Sequence, residues 1–303
     1  MSRARAPGKL VLSGAYAVLS GAPALVAAVD RYALADSAKP AHFLTPEVQA
    51  ALGAQPAPWF DAENLRENGQ KLGLGSSAAI LVASLAALEL DAQPGLDDAA
   101  LCARVYQRAL LAHRRAQGGG SGVDVAASAH GGVLAARRLG GELELSPVRL
   151  PDGLHFEIWA CATAASTAAF LRQIAEFAVS DPALHRTRID AQAEAAEAAL
   201  AAAQRNDAES FVRAIARQVS ALTELGVSAG ANIVTAELGA LAKLAALHAG
   251  AFLPAGAGGG DVAYFVGVAP PPAELSEQAR ALGLSRVELR LGARGVHADR
   301  EPC

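Results

Sequence analysis

Between Leu72 and Ala79 the chain reads Leu-Gly-Leu-Gly-Ser-Ser-Ala-Ala and runs directly into Ile80-Leu-Val-Ala-Ser-Leu85. Two glycines one residue apart permit positive φ and a tight change of direction. Serines then open an apolar segment, which predicts a helix over Ser76–Leu90 stopped by Gln93-Pro94-Gly95. The amides of a first helical turn have no intrahelical acceptor, and the helix dipole makes that end attractive to anions. Ser76 and Ser77 add hydroxyls that suit phosphate oxygens or a magnesium ion. A serine-capped helix after a glycine turn has the same text, so the loop alone leaves both readings open. It is not a Walker loop, because no Gly-Lys-Ser/Thr follows four spacer residues.

Three further segments bear on that choice. Gly256-Ala-Gly-Gly-Gly-Asp261 lies between two extended segments and reads either as a hairpin loop or as a place where backbone approaches a ligand. Gly118-Gly-Gly-Ser-Gly-Val-Asp124 puts a carboxylate at a helix start, either as a cap or as an acid/base or charge-positioning group. Ala6-Pro-Gly-Lys9 brings a lysine into a buried strand, where it either snorkels to solvent or offsets charge during phosphoryl transfer. Two glycine-rich loops so far apart in one chain favour a shared phosphate site over two unrelated turns.

Composition narrows the class. Of the 303 residues 52% are hydrophobic but only 5% aromatic, because much of the apolar content is alanine. That predicts a helix-rich protein with close small-residue packing. The net charge is −4 with no basic tail or stripe, which argues against nucleic acid as a partner. Cys102, Cys161 and Cys303 fit neither a zinc site nor a disulfide framework and read as thiols in a reducing compartment. The apolar run after the basic Met1–Lys9 stretch is too short for a signal peptide or a membrane span, so a cytoplasmic location is expected.

Along the chain, strands are expected at Lys9–Ser13, Ala24–Ala35 and Val133–Arg137, with helices at Ser76–Leu90, Ala99–Ala116 and Val123–Ala129. Residues 36–70 give no clear pattern. The text restarts around Pro147–Asp152: a strand at Leu154–Cys161, then helices near Thr167–Ala178, His185–Gln204, Glu209–Leu225 and Asn232–Ala249. Strands at Ala251–Leu253, Val262–Val268 and Arg286–Leu291 and a helix at Pro272–Leu282 complete it. With the extra helices taken as an insertion, the second half has the split βαβ order. The expectation is an α+β protein of two domains, 1–148 and 149–303.

Taken in order, Ala6–Leu19, Lys71–Ala79 and Pro254–Asp261 resemble the three motifs of the GHMP kinase superfamily, and the resemblance spans nearly the whole chain. Within it, the text looks most like the phosphomevalonate kinases. The matching passages are Ala6-Pro-Gly-Lys-Leu10, Tyr16-Ala-Val-Leu19, Pro23-Ala-Leu-Val26, Ala112-His-Arg-Arg-Ala-Gln-Gly118 and Ser121-Gly-Val-Asp-Val-Ala126, with Ala165-Ser-Thr167 and the Gly256–Asp261 run. The resemblance implies an N-terminal nucleotide-binding domain like domain 2 of ribosomal protein S5 and a ferredoxin-like C-terminal domain with a helical insertion. It implies ATP and magnesium as cofactors, with Gly73, Gly75, Ser76, Ser77 and Ala78 on the nucleotide and Ser76 and Ser77 toward the metal. Lys9 and Asp124 would act at the transfer site. Ser121, Ser166, Thr167, Gly258, Gly259 and Asp261 would hold substrate; position adds two cations to them, Lys71 next to the phosphate loop and Arg172 a helical turn beyond Thr167. Two departures stand out: Ala15 replaces the usual glutamate of the first motif, and Leu253 stands where bacterial relatives often carry lysine before the proline.

The implied reaction is ATP-dependent phosphorylation of mevalonate 5-phosphate, with no membrane partner and a monomer or homodimer as the working form. A hydroxyl acceptor such as mevalonate would need Asp124 as base. A phosphate acceptor is already largely ionised near neutrality, its second pKa being about 6, so cations matter more. The cations available to it are Lys71, His113, Arg114, Arg137 and Arg172, while His130 reads as structural. A hydroxyl-directed superfamily kinase, a decarboxylase of a mevalonate derivative and a non-catalytic nucleotide-binding regulator are the alternatives.

Overall fold

The computed structural model describes residues 2–67, 69–163 and 167–300. In chain order the elements are β1 (Arg3–Ser13), β2 (Pro23–Pro40), α1 (Pro46–Leu52), β3 (Pro58–Asp61), β4 (Arg66–Glu67), β5 (Gln70–Lys71), α2 (Ser76–Ala92), α3 (Asp98–Ala116), α4 (Val123–His130), β6 (Val133–Leu139) and β7 (Glu142–Pro147). There follow β8 (His155–Ala160), α5 (Thr167–Ser180), α6 (Pro182–Gln204), α7 (Ala208–Ala229), α8 (Ala236–Leu247), β9 (Ala251–Pro254), β10 (Val262–Gly267), α9 (Ala273–Ala281), β11 (Ser285–Val287) and β12 (His297–Ala298). No helix among the described residues is long and apolar enough to cross a membrane.

The chain forms two compact units: Met1–Leu10, Val26–Leu134 and Leu289–Cys303 in the first, Val11–Leu25 and Ala135–Glu288 in the second. The expected 148/149 boundary follows β7 and lies within the second unit.

In the first unit α2 is the central element. From Ala78 to Ala87 every residue is buried, and α1, α3 and α4 all pack against it. Alanine makes this possible, since a helix covered on all sides can approach its neighbours only through small side chains. Strands β12, β1 and β2 lie side by side, and β3 pairs with β2. The C-terminal strand β12 runs antiparallel to β1, Ala4 opposite Ala298 and Arg5 opposite His297. Residues 36–70, opaque in the sequence, hold the end of β2, then α1, β3 and the β4–β5 hairpin. Helix α1 has readable signals in retrospect: Thr45 as a cap whose hydroxyl accepts from Val48 N at 3.2 Å, Pro46 at the first position and Glu47 in the first turn.

In the second unit the sheet order is β11-β8-β10-β9, antiparallel throughout. That is the split βαβ arrangement expected of the second half. Helices α8 and α9 share one core with Trp159, Phe252 and Phe265 through Leu238, Leu241 and Leu275. Helices α5–α7 are the insertion, and α7 packs on β9 and β10. Two segments differ from the expectation. The strand expected to reach Leu291 ends at Val287, and Leu291 instead forms a single antiparallel bridge with Val29. The helix expected from Asn232 starts at Ala236, because Thr235 is its cap and accepts from Leu238 N.

Candidate active site

Of the helices, α1, α3, α6, α7 and α8 each begin on a threonine or aspartate whose side chain accepts a first-turn amide. Helices α2 and α4 do not. Each starts on a left-handed glycine, Gly75 at φ 73° and Gly122 at φ 82°, with no side-chain cap. Serine capping, the bland reading of the loop, therefore does not apply to α2: Ser76 and Ser77 sit inside its first turn. The first-turn amides of Ser76, Ser77 and Ala78 are left to an external acceptor, the requirement for an anion cradle.

The two helix starts are neighbours. A Cβ built on Gly75 would lie 3.1 Å from Lys9 Cγ and Cε and 3.5 Å from Asp124 Cβ. Glycine at 75 is thus required twice, by φ and by the space that Lys9 occupies. Lys9 is held on β1 by its own amide, which donates to Leu74 O at 2.8 Å, and its Nζ donates to Gly73 O at 3.0 Å. The strand that carries the lysine is thereby tied to the loop that would carry the phosphates.

Asp124 occupies the first turn of α4, its side chain 22% exposed. Its Oδ1 accepts from Val125 N at 3.1 Å, and its Oδ2 lies 3.3 Å from His113 Nε2. Burial pushes the carboxyl up, but contact with His113, the charges of His113 and Lys9 and the Val125 amide outweigh it and bring it down to about 2. His113 is only 2% exposed. Burial lowers its pKa, and Asp124 together with the charge of Glu47 more than reverses that, so it ends above its usual value.

Other expected residues fall as follows. Ser121 is half-buried, with its hydroxyl 3.5 Å from Val123 N at the start of α4. Lys71 is exposed on β5 directly across from Arg66. His113 is not a solvent-facing phosphate cation, since it is buried against Asp124. Arg137 is not one either: it forks onto Glu197 at 2.6 and 3.0 Å and donates to Gly21 O at 3.1 Å. Arg114 is half-buried in the last turn of α3.

In the second unit, Thr167 is exposed at the start of α5, and Arg172 makes only a long 3.9 Å contact with Glu176 while 71% exposed. Ser166 lies outside the described residues. In the 256–261 loop the faces freed by glycine are filled by protein: added Cβ atoms would lie 2.4 Å from Ile233 O at Gly258, 2.3 Å from the Phe170 ring at Gly259 and 2.3 Å from Thr163 O at Gly260. Asp261 closes the loop at φ 56°, its amide donating to Thr163 O at 2.9 Å. Tyr16 donates its hydroxyl to Ala257 O at 2.5 Å. The loop is thus anchored on several sides. The Tyr16 contact and the buried partner of Asp124 both escaped sequence reasoning: the first joins residues 241 apart, and the second joins two helices, α3 and α4, whose packing the local text does not show.

No group of three or more His, Cys, Asp or Glu among the described residues is arranged to hold a metal ion. A magnesium ion here fits only as one carried largely by nucleotide phosphates, with hydroxyls such as Ser76 and Ser77 completing its oxygen shell.

The family model described as "GHMP kinases N terminal domain" matches residues 62–132, which include the glycine loop and Asp124. The phosphomevalonate kinase of Streptomyces sp. (strain CL190) is 28% identical over 84% of this chain and 87% of its own length. Among solved structures, the Lin0012 protein from Listeria innocua has a TM-score of 0.83 at 24% identity, covering 99% of both chains. The Streptococcus pneumoniae phosphomevalonate kinase, solved in complex with phosphomevalonate and AMPPNP, has a TM-score of 0.79 at 17% identity, over 96% of this chain and 100% of that one. The glycine-cradled α2 start beside Lys9 and Asp124 lies in the segment that matches the GHMP kinase N-terminal domain, in a chain similar over most of its length to a phosphomevalonate kinase, and these findings support a phosphotransferase.

Proposed function

We propose that the chain transfers the γ-phosphoryl group of ATP to mevalonate 5-phosphate, giving mevalonate 5-diphosphate and ADP. The observation that carries this reading is the charge arrangement at Asp124. A carboxylate whose Oδ1 already accepts from the Val125 amide, whose Oδ2 faces His113, and whose pKa these contacts and Lys9 hold below the usual range is a weak base. Such a group suits a nucleophile that needs no deprotonation, and a phosphate monoester with a second pKa of about 6 is one.

In this reaction an oxygen of the acceptor phosphate attacks the γ-phosphorus while the bond to the ADP β-phosphate oxygen breaks, and no proton need leave the dianionic acceptor. The amides of Ser76, Ser77 and Ala78, with Gly73 and Gly75 shaping the turn, would hold the nucleotide phosphates. Lys9 would offset charge that collects on the transferred group. Asp124 would hold Lys9 in place and keep it charged. Magnesium, carried on the nucleotide with Ser76 and Ser77 beside it, would supply further charge neutralisation. Lys71 supports an anionic acceptor through its position alone, exposed on β5 two residues before the phosphate loop; Arg66 opposite it is already paired with Glu63 and donates to Gly69 O. The substrate-side roles of Ser121, Thr167, Gly258, Gly259 and Asp261 rest on the family resemblance and that of Arg172 on its place a helical turn beyond Thr167, while a cytoplasmic location and a monomer or homodimer complete the reading.

A coupled ADP-release assay over mevalonate, mevalonate 5-phosphate and mevalonate 5-diphosphate tests the proposal. Turnover with the monophosphate alone is expected. Preference for mevalonate would make the enzyme a hydroxyl kinase, and carbon dioxide release from the diphosphate would make it a decarboxylase. ATP binding without turnover would mark a regulator.

A further inference from the structure

The last turn of α3 buries a histidine that solvent barely reaches. His113 is 2% exposed, and neither ring nitrogen makes a hydrogen bond among the described residues. Burying an imidazole with both nitrogens unsatisfied is unfavourable, and a leucine would fill the same space without that cost. What its Nε2 does have is an ion-pair contact, 3.3 Å from Asp124 Oδ2. Helices α1, α2 and α4 and strand β12 pack against α3, and of their titratable groups Glu47 and Asp124 are the ones that act on His113. Glu47 is itself buried, and its Oε1 accepts from Gln117 Nε2 at 3.1 Å. Capping α4 does not explain the arrangement, since the Asp124 oxygen that meets an amide is Oδ1, and the His113 contact uses the other one.

We infer that His113 is a positioning residue for phosphoryl transfer, which fixes the Asp124 carboxylate from behind while Lys9 engages it from the strand side. The inference rests on the reading of Lys9 and Asp124 as the transfer site. With Oδ1 held by the Val125 amide and Oδ2 facing His113 Nε2 at 3.3 Å, the carboxylate is restrained from turning about its own axis. The negative charge that Lys9 sees is then fixed in place, and so is Lys9 itself, whose Nζ also meets Gly73 O. Glu47 completes an alternating series of charges, Lys9, Asp124, His113 and Glu47, that runs from β1 through α4 and α3 to α1.

Two substitutions separate positioning from packing. His113→Gln keeps an N–H donor near the Nε2 position, and His113→Leu keeps bulk alone. In steady-state kinetics with the acceptor that the wild type turns over, His113→Leu should lower kcat roughly 10- to 100-fold with both KM values changed little, as a small misplacement at the reacting centre does. His113→Gln should retain clearly more activity, and His113→Leu combined with Asp124→Asn should be no worse than Asp124→Asn alone. In the ligand-free protein, the imidazole nitrogen resonances of 15N-histidine should include one that moves when Asp124→Asn is introduced and that vanishes in His113→Gln. Wild-type kcat in His113→Leu, independent losses in the double variant, or a His113 resonance indifferent to Asp124→Asn would each overturn the inference. If the His113 variants do not fold, the comparison of wild type with Asp124→Asn still decides it. If Lys9→Ala and Asp124→Asn both leave turnover intact, the transfer-site reading has failed, whatever the resonance does.

Discussion

Gly75→Ala separates backbone strain from chemistry, and Gly230→Ala is its control. Both glycines are left-handed, at φ 73° and ψ 38° for Gly75 and φ 64° and ψ 24° for Gly230. An alanine in that region costs about 1–2 kcal/mol, so each variant should lose that much stability in urea unfolding. At Gly230 a new Cβ meets nothing within 4 Å. At Gly75 it would sit 3.1 Å from two carbons of the Lys9 stem, tighter than ordinary van der Waals contact. A lysine stem bends more readily than backbone, so the added stability loss should be only a few tenths of a kcal/mol. The bend nevertheless shifts Nζ by a few tenths of an ångström relative to Gly73 O, and since about 1 Å of displacement at a transfer site costs about 100-fold, a loss of roughly 3- to 10-fold is expected. The two variants should therefore unfold at similar urea concentrations while kcat/KM in the coupled ADP assay falls by that factor for Gly75→Ala alone. If the two lose activity equally, or neither does, Lys9 does not act where its contacts suggest.

Other expectations follow from the same geometry. Asp124 falls from its ordinary 3.8 to about 2 in the folded protein, so its charged form contributes about 2 kcal/mol that is present above pH 3.8 and lost as pH falls toward 2. Asp124→Asn should therefore flatten the acid limb of the stability profile measured by urea titration. His113 has the opposite sign: its raised pKa gives stability that is full below pH 6.5 and fades as pH rises through the folded value, a loss that His113→Gln should abolish. Tyr16→Phe removes the hydroxyl that meets Ala257 O and should cost about 1 kcal/mol, with more effect on KM than on folding if the 256–261 loop touches substrate. Gly259→Ala drives a Cβ to 2.3 Å from the Phe170 ring at φ 76°; adding Phe170→Ala should restore part of the lost melting temperature but not the share due to φ.

Much of the fold was legible because it is written in short range. Asp97 before α3, Gly75 before α2 and the Gln93-Pro94-Gly95 stop give helix ends by local chemistry, and the βαββαβ order of the second half follows from element sequence alone. Lys9, Gly75 and Asp124, far apart in the chain, were singled out by their motif settings, and they meet in space. What could not be read depends on partners that only the packing of separate elements supplies. His113 looks like any helix-end cation until α4 brings a carboxylate to it, and Arg137 looks available until Glu197 takes it. The glycines of the 256–260 run had a motif reading, but nothing local announces that Ile233, Phe170 and Thr163 fill the space beside them. The helix α1 was missed for another reason: its seven residues carry too short an apolar period to stand out, although its cap was plain.

The claim that matters most is transfer of phosphoryl to an acceptor that already carries a phosphate, and phosphorus NMR of the product tests it most directly. With ATP and mevalonate 5-phosphate, the single monoester resonance should disappear and two coupled diphosphate resonances should replace it as ADP accumulates. A persisting monoester resonance, with a new monoester formed when mevalonate is supplied instead, would contradict the account.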